Sequence, residues 1–333
     1  MSFAFTEDQQ LLRAEARAFL EARLPLERVA QLADGDAGWD PALWREIAEL
    51  GWPGVSVPEQ LGGVGLGAVE EGILFEELGR ACFPGPYFTT VALARDVLAG
   101  SPALLSVLAA GDCTWTVALD PDLVPDLAIA DRVVLARDGA LWLVHGGRRE
   151  PRESLDGTRR MGRLVVDSAD LELLVPPQDA EAVLAALRRH ALVALSLEGV
   201  GVAQRALDLG VAHARSRVQY ERMIGTFQGV AHPLAETYAD LELSRSLAYW
   251  AAWALEHDPA RADLAAAAAN AHASRTAVAA CERSIQVHGG TGFTWEFPLH
   301  RLYRRALWID AYGGSAASRR AVVAAHVLGA AAA

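Results

Sequence analysis

Proton transfer, nucleophilic attack and metal binding each need particular side chains held within about 3 Å of their target. The 333-residue chain offers 42 acids, nine histidines and three cysteines for such work. The histidines, among them His190, His213 and His288, are scattered. No i, i+4 pair with a third ligand stands out, which argues against a metal site. Cys82, Cys113 and Cys281 lie far apart without a CxxC pair, so neither a disulfide framework nor a cysteine-rich zinc site is expected. Reduced thiols of a cytoplasmic protein are the plain reading. Gly62-Gly63-Val64-Gly65 resembles a phosphate loop only superficially. All 30 basic residues are arginine, so the lysine of a P-loop is missing and nucleotide hydrolysis of that type is excluded. Arg148, Arg149, Arg152, Arg159 and Arg160 cluster in one segment. They read as a solvated loop face, with contact to a ligand or a partner as the alternative.

The formal net charge is -12. That balance argues against general nucleic-acid binding, which needs a basic face, but leaves room for a phosphate-bearing ligand held by local arginines. With 52% hydrophobic and 22% charged residues the composition is that of a folded globular protein. The opening MSFAFTEDQQLL has neither the basic region nor the apolar core of a signal peptide. No run of about 18 apolar residues suggests a membrane span. The expectation is a soluble, cytoplasmic protein with no membrane partner.

The elements that must position any site follow from periodicity. Residues 1 to about 111 read as a helical domain. Thr6 with Gln9 is a capping box, and Asp40-Pro41 is an N-cap and N1 pair. A helix through Leu43, Trp44, Ile47 and Leu50 stops at Gly51. Another, through Ile73, Glu76, Glu77 and Leu78, is expected to end near Gly79. From 112 to 177 the period becomes extended. Arg132–Arg137 and Ala140–Val144 flank Asp138-Gly139, a two-residue hairpin signal. Arg163–Asp167 and Leu171–Val175 are further strands. From 178 to 333 the pattern is helical again. Asp179 is expected to cap a helix reaching about Arg217. A second runs from Gln228 to His257. A third starts at Asp258-Pro259 and ends at Gly289-Gly290. Another follows Pro298 and breaks at Gly313-Gly314, before a short final helix. The fold class is therefore mainly α: an N-terminal helical domain, a small middle β domain and a C-terminal four-helix-type bundle.

In this order and spacing the chain resembles the acyl-CoA dehydrogenase family over nearly its whole length. The N-terminal likeness lies in FTEDQQLLRAEARAFL, in LWREIAELGWPGVSVPEQLGGVGLG and in EELGR. The C-terminal likeness is stronger, in GVGVAQRALDLGVAHARSRVQYERMIGTFQGVAHPLAE and SIQVHGGTGFTWEFPLHRLYRRA. The family removes an α-proton from an acyl-CoA thioester with a carboxylate base and passes a β-hydride to FAD. In most members each FAD is shared between two subunits. The resemblance implies that Arg217 and Gln219 belong to the cofactor-binding RxQ(F)G segment, with Tyr220 for phenylalanine and Glu221 for glycine. It implies the same of Phe227 and Gln228, and of Gln286, Gly289 and Gly290 in the QxxGG turn. Taken singly, Arg217 is a solvated helix residue and Gly289-Gly290 a helix stop.

Other family features are missing. The region CTWTVALDPDLVPDLAIADRVVL contains neither the Thr-Glu nor the Gly-Ser-Asp that holds the flavin ring, and Trp142 reads as a packing residue. The two positions where members carry the base are Gly313 and Ala191, so no catalytic residue is expected. Glu198, Asp310 and Glu296 are the carboxylates nearest in sequence to those positions or to the Gly-rich turn. Glu198 lies about 10 Å along the helix from Ala191, too far for direct replacement. They read as capping or solvated carboxylates. What is kept is what one subunit gives to its neighbour's FAD, and what is lost is what it needs to hold its own. The resemblance thus implies the non-catalytic chain of an α2β2 heterotetramer acting on an acyl-CoA, possibly a steroid side-chain CoA. It would complete the FAD site of a full-length partner and be inactive alone. Two alternatives remain: a self-sufficient dehydrogenase with Glu198 or Asp310 as a relocated base, and a non-enzymatic acyl-CoA-binding or scaffold protein.

Overall fold

A computed structural model describes residues 4–329. In chain order the helices and strands are α1 (Glu7–Arg23), α2 (Leu26–Asp34), α3 (Pro41–Glu49), α4 (Ala68–Ala81), α5 (Arg95–Leu98), α6 (Pro102–Ala109), β1 (Trp115–Ala118), β2 (Val124–Pro125), β3 (Arg132–Arg137), β4 (Ala140–Val144), β5 (Arg148–Arg152), β6 (Met161–Val165), β7 (Leu171–Val175), α7 (Pro177–Ser216), β8 (Val218–Gln219), β9 (Arg222–Met223), α8 (Gln228–His257), α9 (Ala262–His288), α10 (Leu299–Ala311) and α11 (Ala316–Leu328). The fold is mainly helical, with a small central β region and a C-terminal bundle. The chain divides into two compact units. One comprises the described residues of Met1–Ala30, Gly72–Phe83 and Leu192–Ala333, and the other comprises Gln31–Glu71 and Pro84–Ala191.

The first unit is built on long helices. Thr6 Oγ1 accepts from Gln9 N–H at 3.2 Å while Gln9 Oε1 accepts from Thr6 N–H at 3.0 Å, closing the capping box that starts α1. In the bundle α9 packs against α8, α10 and α11. Its buried face is largely alanine, which lets helices approach closely. Helix α4 runs two residues past Gly79, contrary to the expected stop. A Cβ at Gly79 would lie 2.1 Å from the Glu198 carbonyl oxygen, and one at Gly201 would lie 1.9 Å from that of Glu76. Both glycines serve the close crossing of α4 and α7 rather than a helix end.

The second unit holds the β region. One sheet has the order β1-β3-β4-β7, a second β2-β6-β5. β1 and β3 are parallel and the other pairs antiparallel. The β3–β4 turn is the expected one, with φ of 53° at Asp138 and 74° at Gly139. Ala118, Val124, Leu127, Val133, Leu135 and Leu164 form the core of this region. Trp142 sits in β4 and donates from Nε1 to Arg137 O at 3.1 Å. In α3 the Asp40 carboxylate caps Ala42 N–H at 2.9 Å, and Leu43, Trp44 and Ile47 are buried.

Two boundaries differ from expectation. α7 begins at Pro177, so Asp179 lies inside the first turn and is not its cap. Proline loses nothing there because a first-turn N–H has no helical acceptor. α9 begins at Ala262, not at Asp258-Pro259. Asp258 instead ends α8 and accepts from Arg261 Nε at 2.6 Å across a turn.

The arginine cluster is not one solvated face. Arg148 and Arg152 are exposed on β5, but Arg159 is buried and lies 4.9 Å above the Phe88 ring. Arg149 donates to the Leu127, Ala130 and Asp131 carbonyls, and Arg160 to those of Gly35 and Asp36. Loop carbonyls with no strand partner need donors, and guanidinium forks supply several at once.

Candidate functional site

The residues singled out for the cofactor fall on two segments of the first unit, whose adjoining helices α7 and α9 meet at His213 and His288. α7 ends at Ser216, and the chain turns back through the two-residue strands β8 and β9. Val218 pairs with Met223 and Gln219 with Arg222. The turn is made by Tyr220 and Glu221, with φ of 51° and 65°. That conformation favours glycine and costs an L-residue of order 1 kcal/mol, so it persists only where surroundings enforce it. Ile224 N–H donates to Arg217 C=O at 2.9 Å and fixes the return.

Helix α8 then starts at Gln228 with no side-chain cap on its first N–H groups. An uncapped N-terminus of a 30-residue helix is a ready site for an anion. Phe227, its N-cap residue, carries the Arg222 guanidinium 4.0 Å above its ring and Tyr220 at 6.2 Å edge-on. Arg217, Gln219, Tyr220 and Gln228 are exposed, and Phe227 is half-buried. Among the described residues the Arg217 guanidinium has no side-chain or carbonyl partner. Gln219 already donates to Val218 O at 2.9 Å.

The second segment is the end of α9. Gln286 is exposed, and Gly289 closes the helix at φ 62°, its N–H returning to Gln286 and Ile285 carbonyls. A Cβ at Gly289 or Gly290 would meet nothing within 4 Å. The chain's own packing therefore does not demand Gly290, whereas a molecule approaching the backbone would. Where α7 and α9 meet, the His213 ring lies 4.3 Å from that of His288, which in turn stacks 4.6 Å from Phe297. Burial, then the His288 and Arg217 charges, hold His213 below its ordinary pKa. An added anion beside Arg217 would relax that.

The carboxylates near the two family base positions are committed. Glu198 is buried, not solvated, and is ion-paired with buried Arg305, which also donates to Phe83 O at 3.1 Å. Asp310 Oδ1 accepts from Ser274 Oγ at 2.6 Å. Ala191 is buried in the second unit, and Gly313 is exposed with φ 70°. Glu296 is exposed at the rim of a cavity of about 530 Å³ lined by Leu20, Leu24, Arg205 and Phe297. Among the described residues no group of three or more His, Cys, Asp or Glu could hold a metal ion, and no helix is long and apolar enough to cross a membrane.

Sequence reading missed two features. The bare α8 N-terminus was detectable as the absence of a Ser, Thr, Asp or Asn before Gln228. The left-handed Tyr220-Glu221 turn carries no composition signal, since neither residue is a usual turn former.

Comparison with known proteins agrees along the chain. Residues 6–104 match the family model described as acyl-CoA dehydrogenase, N-terminal domain, and residues 184–328 match its C-terminal domain. The acyl-CoA dehydrogenase IpdE2 of Mycobacterium tuberculosis is 34% identical over 304 residues, covering 90% of this chain and 91% of that protein. Its counterpart from Mycolicibacterium smegmatis is 31% identical over 305 residues, covering 90% and 93%. Among solved structures, a variant of the Tcur3481-Tcur3483 steroid ACAD superposes with a TM-score of 0.87 at 27% identity, over 98% of this chain and 99% of that one. The ChsE4-ChsE5 complex of Mycobacterium tuberculosis gives 0.85 at 25% identity, over 98% and 99%. With both terminal domains matched and nine-tenths of the length aligned to relatives of similar size, the chain belongs to the acyl-CoA dehydrogenase family.

Proposed function

We propose that this chain is the non-catalytic subunit of a heteromeric, FAD-dependent acyl-CoA dehydrogenase, completing the cofactor site of an unlike partner. One contrast carries the reading. The anion-ready face around Arg217, the α8 N-terminus and Gly289-Gly290 is exposed and uncommitted. The base positions hold Gly313 and Ala191, and Glu198 and Asp310 are engaged within the fold.

The residues fit the diphosphate and adenosine end of FAD. Arg217 would neutralise diphosphate charge, and the first α8 amides beside Gln228 would donate to its oxygens. Gln286 would add an amide, and Gly289-Gly290 would admit the cofactor against backbone. Tyr220 and Phe227 offer an aromatic edge, and Gln219 a second amide, once released from Val218. When bound, FAD supplies the hydride acceptor. This chain's part is to bind and orient it. The partner would provide the flavin-ring pocket and the carboxylate that removes the α-proton. The names of two similar structures, a steroid ACAD and a ChsE4-ChsE5 complex, support a partnership of two unlike chains and a steroid-derived substrate, which we take to be an α2β2 assembly acting on a steroid side-chain CoA.

The test is the visible absorbance spectrum of the chain purified alone and then co-purified with a full-length family member from the same genome. A colourless lone chain and a yellow complex with about one FAD per heterodimer are expected. One tightly held FAD on every copy of the lone chain overturns the proposal and returns attention to a relocated base.

A further inference from the structure

The second unit contains a buried ionic cluster that plays no part in the proposed cofactor role. His190, in the N-terminal half of α7, is only 2% exposed, and Glu71, in the first turn of α4, only 3%. His190 Nε2 is hydrogen-bonded to Glu71 Oε1, and Nδ1 lies 3.3 Å from Asp96 Oδ2, an ion-pair contact. Arg95 bridges the same two carboxylates. Its Nη1 donates to Glu71 Oε2 at 2.9 Å, and its Nε and Nη2 to Asp96 Oδ1 at 3.2 and 3.0 Å. Ser56 Oγ accepts from Arg95 Nη1 at 2.7 Å and donates to Glu71. Tyr87, whose hydroxyl donates to Trp52 O at 3.0 Å, is a further ionisable neighbour. Burial and the Glu71 charge push its phenol up, so it stays neutral.

The charges balance in only one state. Two carboxylates face one guanidinium, so the cluster is neutral when His190 is an imidazolium. An imidazolium bonds Glu71 through Nε2 and brings its charge to within 3.3 Å of Asp96 at Nδ1, which makes no hydrogen bond of its own. A neutral imidazole has one N–H, and leaves the other carboxylate facing a lone pair in a site with little water. Buried charge without a partner is costly, so loss of that proton must loosen the contacts.

We propose that His190 with Glu71, Asp96 and Arg95 is a pH-sensitive latch, closed when the imidazole is protonated, that ties α4, α5 and α7 together within this unit. Its release would free α5 and the segment Phe88–Ala94 before it. All seven residues of that segment are buried, and its backbone is wound as a π-helix, a form seldom stable without enforcing contacts.

The titration directions agree with the geometry. Burial and Arg95 press the His190 pKa down, but Glu71 and Asp96 outweigh both, and the net direction is upward from 6.5. Burial alone would raise the Glu71 carboxyl, yet His190 and Arg95 hold it at about 2. Asp96 is likewise held well below the carboxylate range, against its burial, by His190 and Arg95. The imidazolium therefore stabilises fully below pH 6.5 and loses its effect as pH rises through the elevated folded-state value. Glu71 contributes fully above 4.5 and is lost only as pH falls towards about 2.

The experiment follows thermal unfolding of the full chain from pH 5 to pH 10, with hydrogen exchange of peptides covering residues 87–98. Wild type should lose midpoint temperature, and its α5 peptides should exchange faster, across one alkaline step above pH 6.5. Glu71→Gln and Asp96→Asn each remove a carboxylate that favours the imidazolium, so the step should move to lower pH by about one unit. His190→Gln should remove the step. A wild-type profile parallel to that of His190→Gln overturns the proposal. If His190→Gln does not fold, a step left in place by both Glu71→Gln and Asp96→Asn overturns it equally.

Discussion

The Arg217–Gln228 hairpin and the Glu71–His190 cluster are both rich in polar groups, and they dispose of them in opposite ways. In the cluster every charge meets another within the chain, and little is left to offer a ligand. In the hairpin, among the described residues, the Arg217 guanidinium has no internal partner, the α8 N-terminus has no side-chain cap, and two non-glycine residues are held in a left-handed turn. A polar group satisfied inside the fold contributes to stability, while one left unsatisfied at the surface is available for binding. The same distinction separates Glu198, a carboxylate spent on Arg305, from a usable catalytic base.

The largest effect expected on that contrast comes from Glu198→Ala. It leaves Arg305 buried without its carboxylate and should cost about 3–5 kcal/mol in urea unfolding. Yet on the proposed function the folded, FAD-loaded complex should turn over acyl-CoA at the wild-type rate, because the partner and not Glu198 would supply the base. A complex that folds, keeps its FAD and loses turnover would erase the distinction. Arg217→Ala should do the reverse. Losing the proposed charge-assisted contact of about 1.5–3 kcal/mol should weaken FAD retention by the complex roughly 10- to 150-fold. The unfolding midpoint of the lone chain should not move.

Gly290→Ala sharpens the point, because its Cβ would meet nothing in the chain. About a tenfold loss of FAD affinity in fluorescence titration, with an unchanged midpoint, would mark close cofactor approach. No change in affinity would remove Gly290 from the site. The smallest effect belongs to Thr6→Ala. It opens the α1 capping box, costs about 1 kcal/mol in stability and should leave the flavin spectrum of the complex untouched.

Much of the fold was legible in local signals. Asp40-Pro41, the Thr6 capping box, the Asp138-Gly139 turn and the Gln228–His257 helix all depend on a few neighbouring residues whose backbone preferences agree. Apart from the local shifts at the starts of α7 and α9, the errors share one cause. Gly79 looked like a helix stop, but its lack of a side chain serves α7 instead. The Arg148–Arg160 cluster looked solvated, yet several of its members serve carbonyls far away in sequence. His190 showed no partner in its local sequence, since Glu71 and Asp96 lie 119 and 94 positions earlier in the chain.

Sequence alone thus determined the approximate places of the long helices and of the Asp138-Gly139 hairpin, the residue types available for a diphosphate, and the absence of a carboxylate at Gly313 and Ala191. Those are properties of neighbouring residues and of side-chain chemistry. Which polar groups are spent was decided only by tertiary structure. Whether Glu198, Arg159 or His190 faces water or a partner depends on contacts between segments distant in the chain. Burial then sets the cost of leaving each charge unpaired.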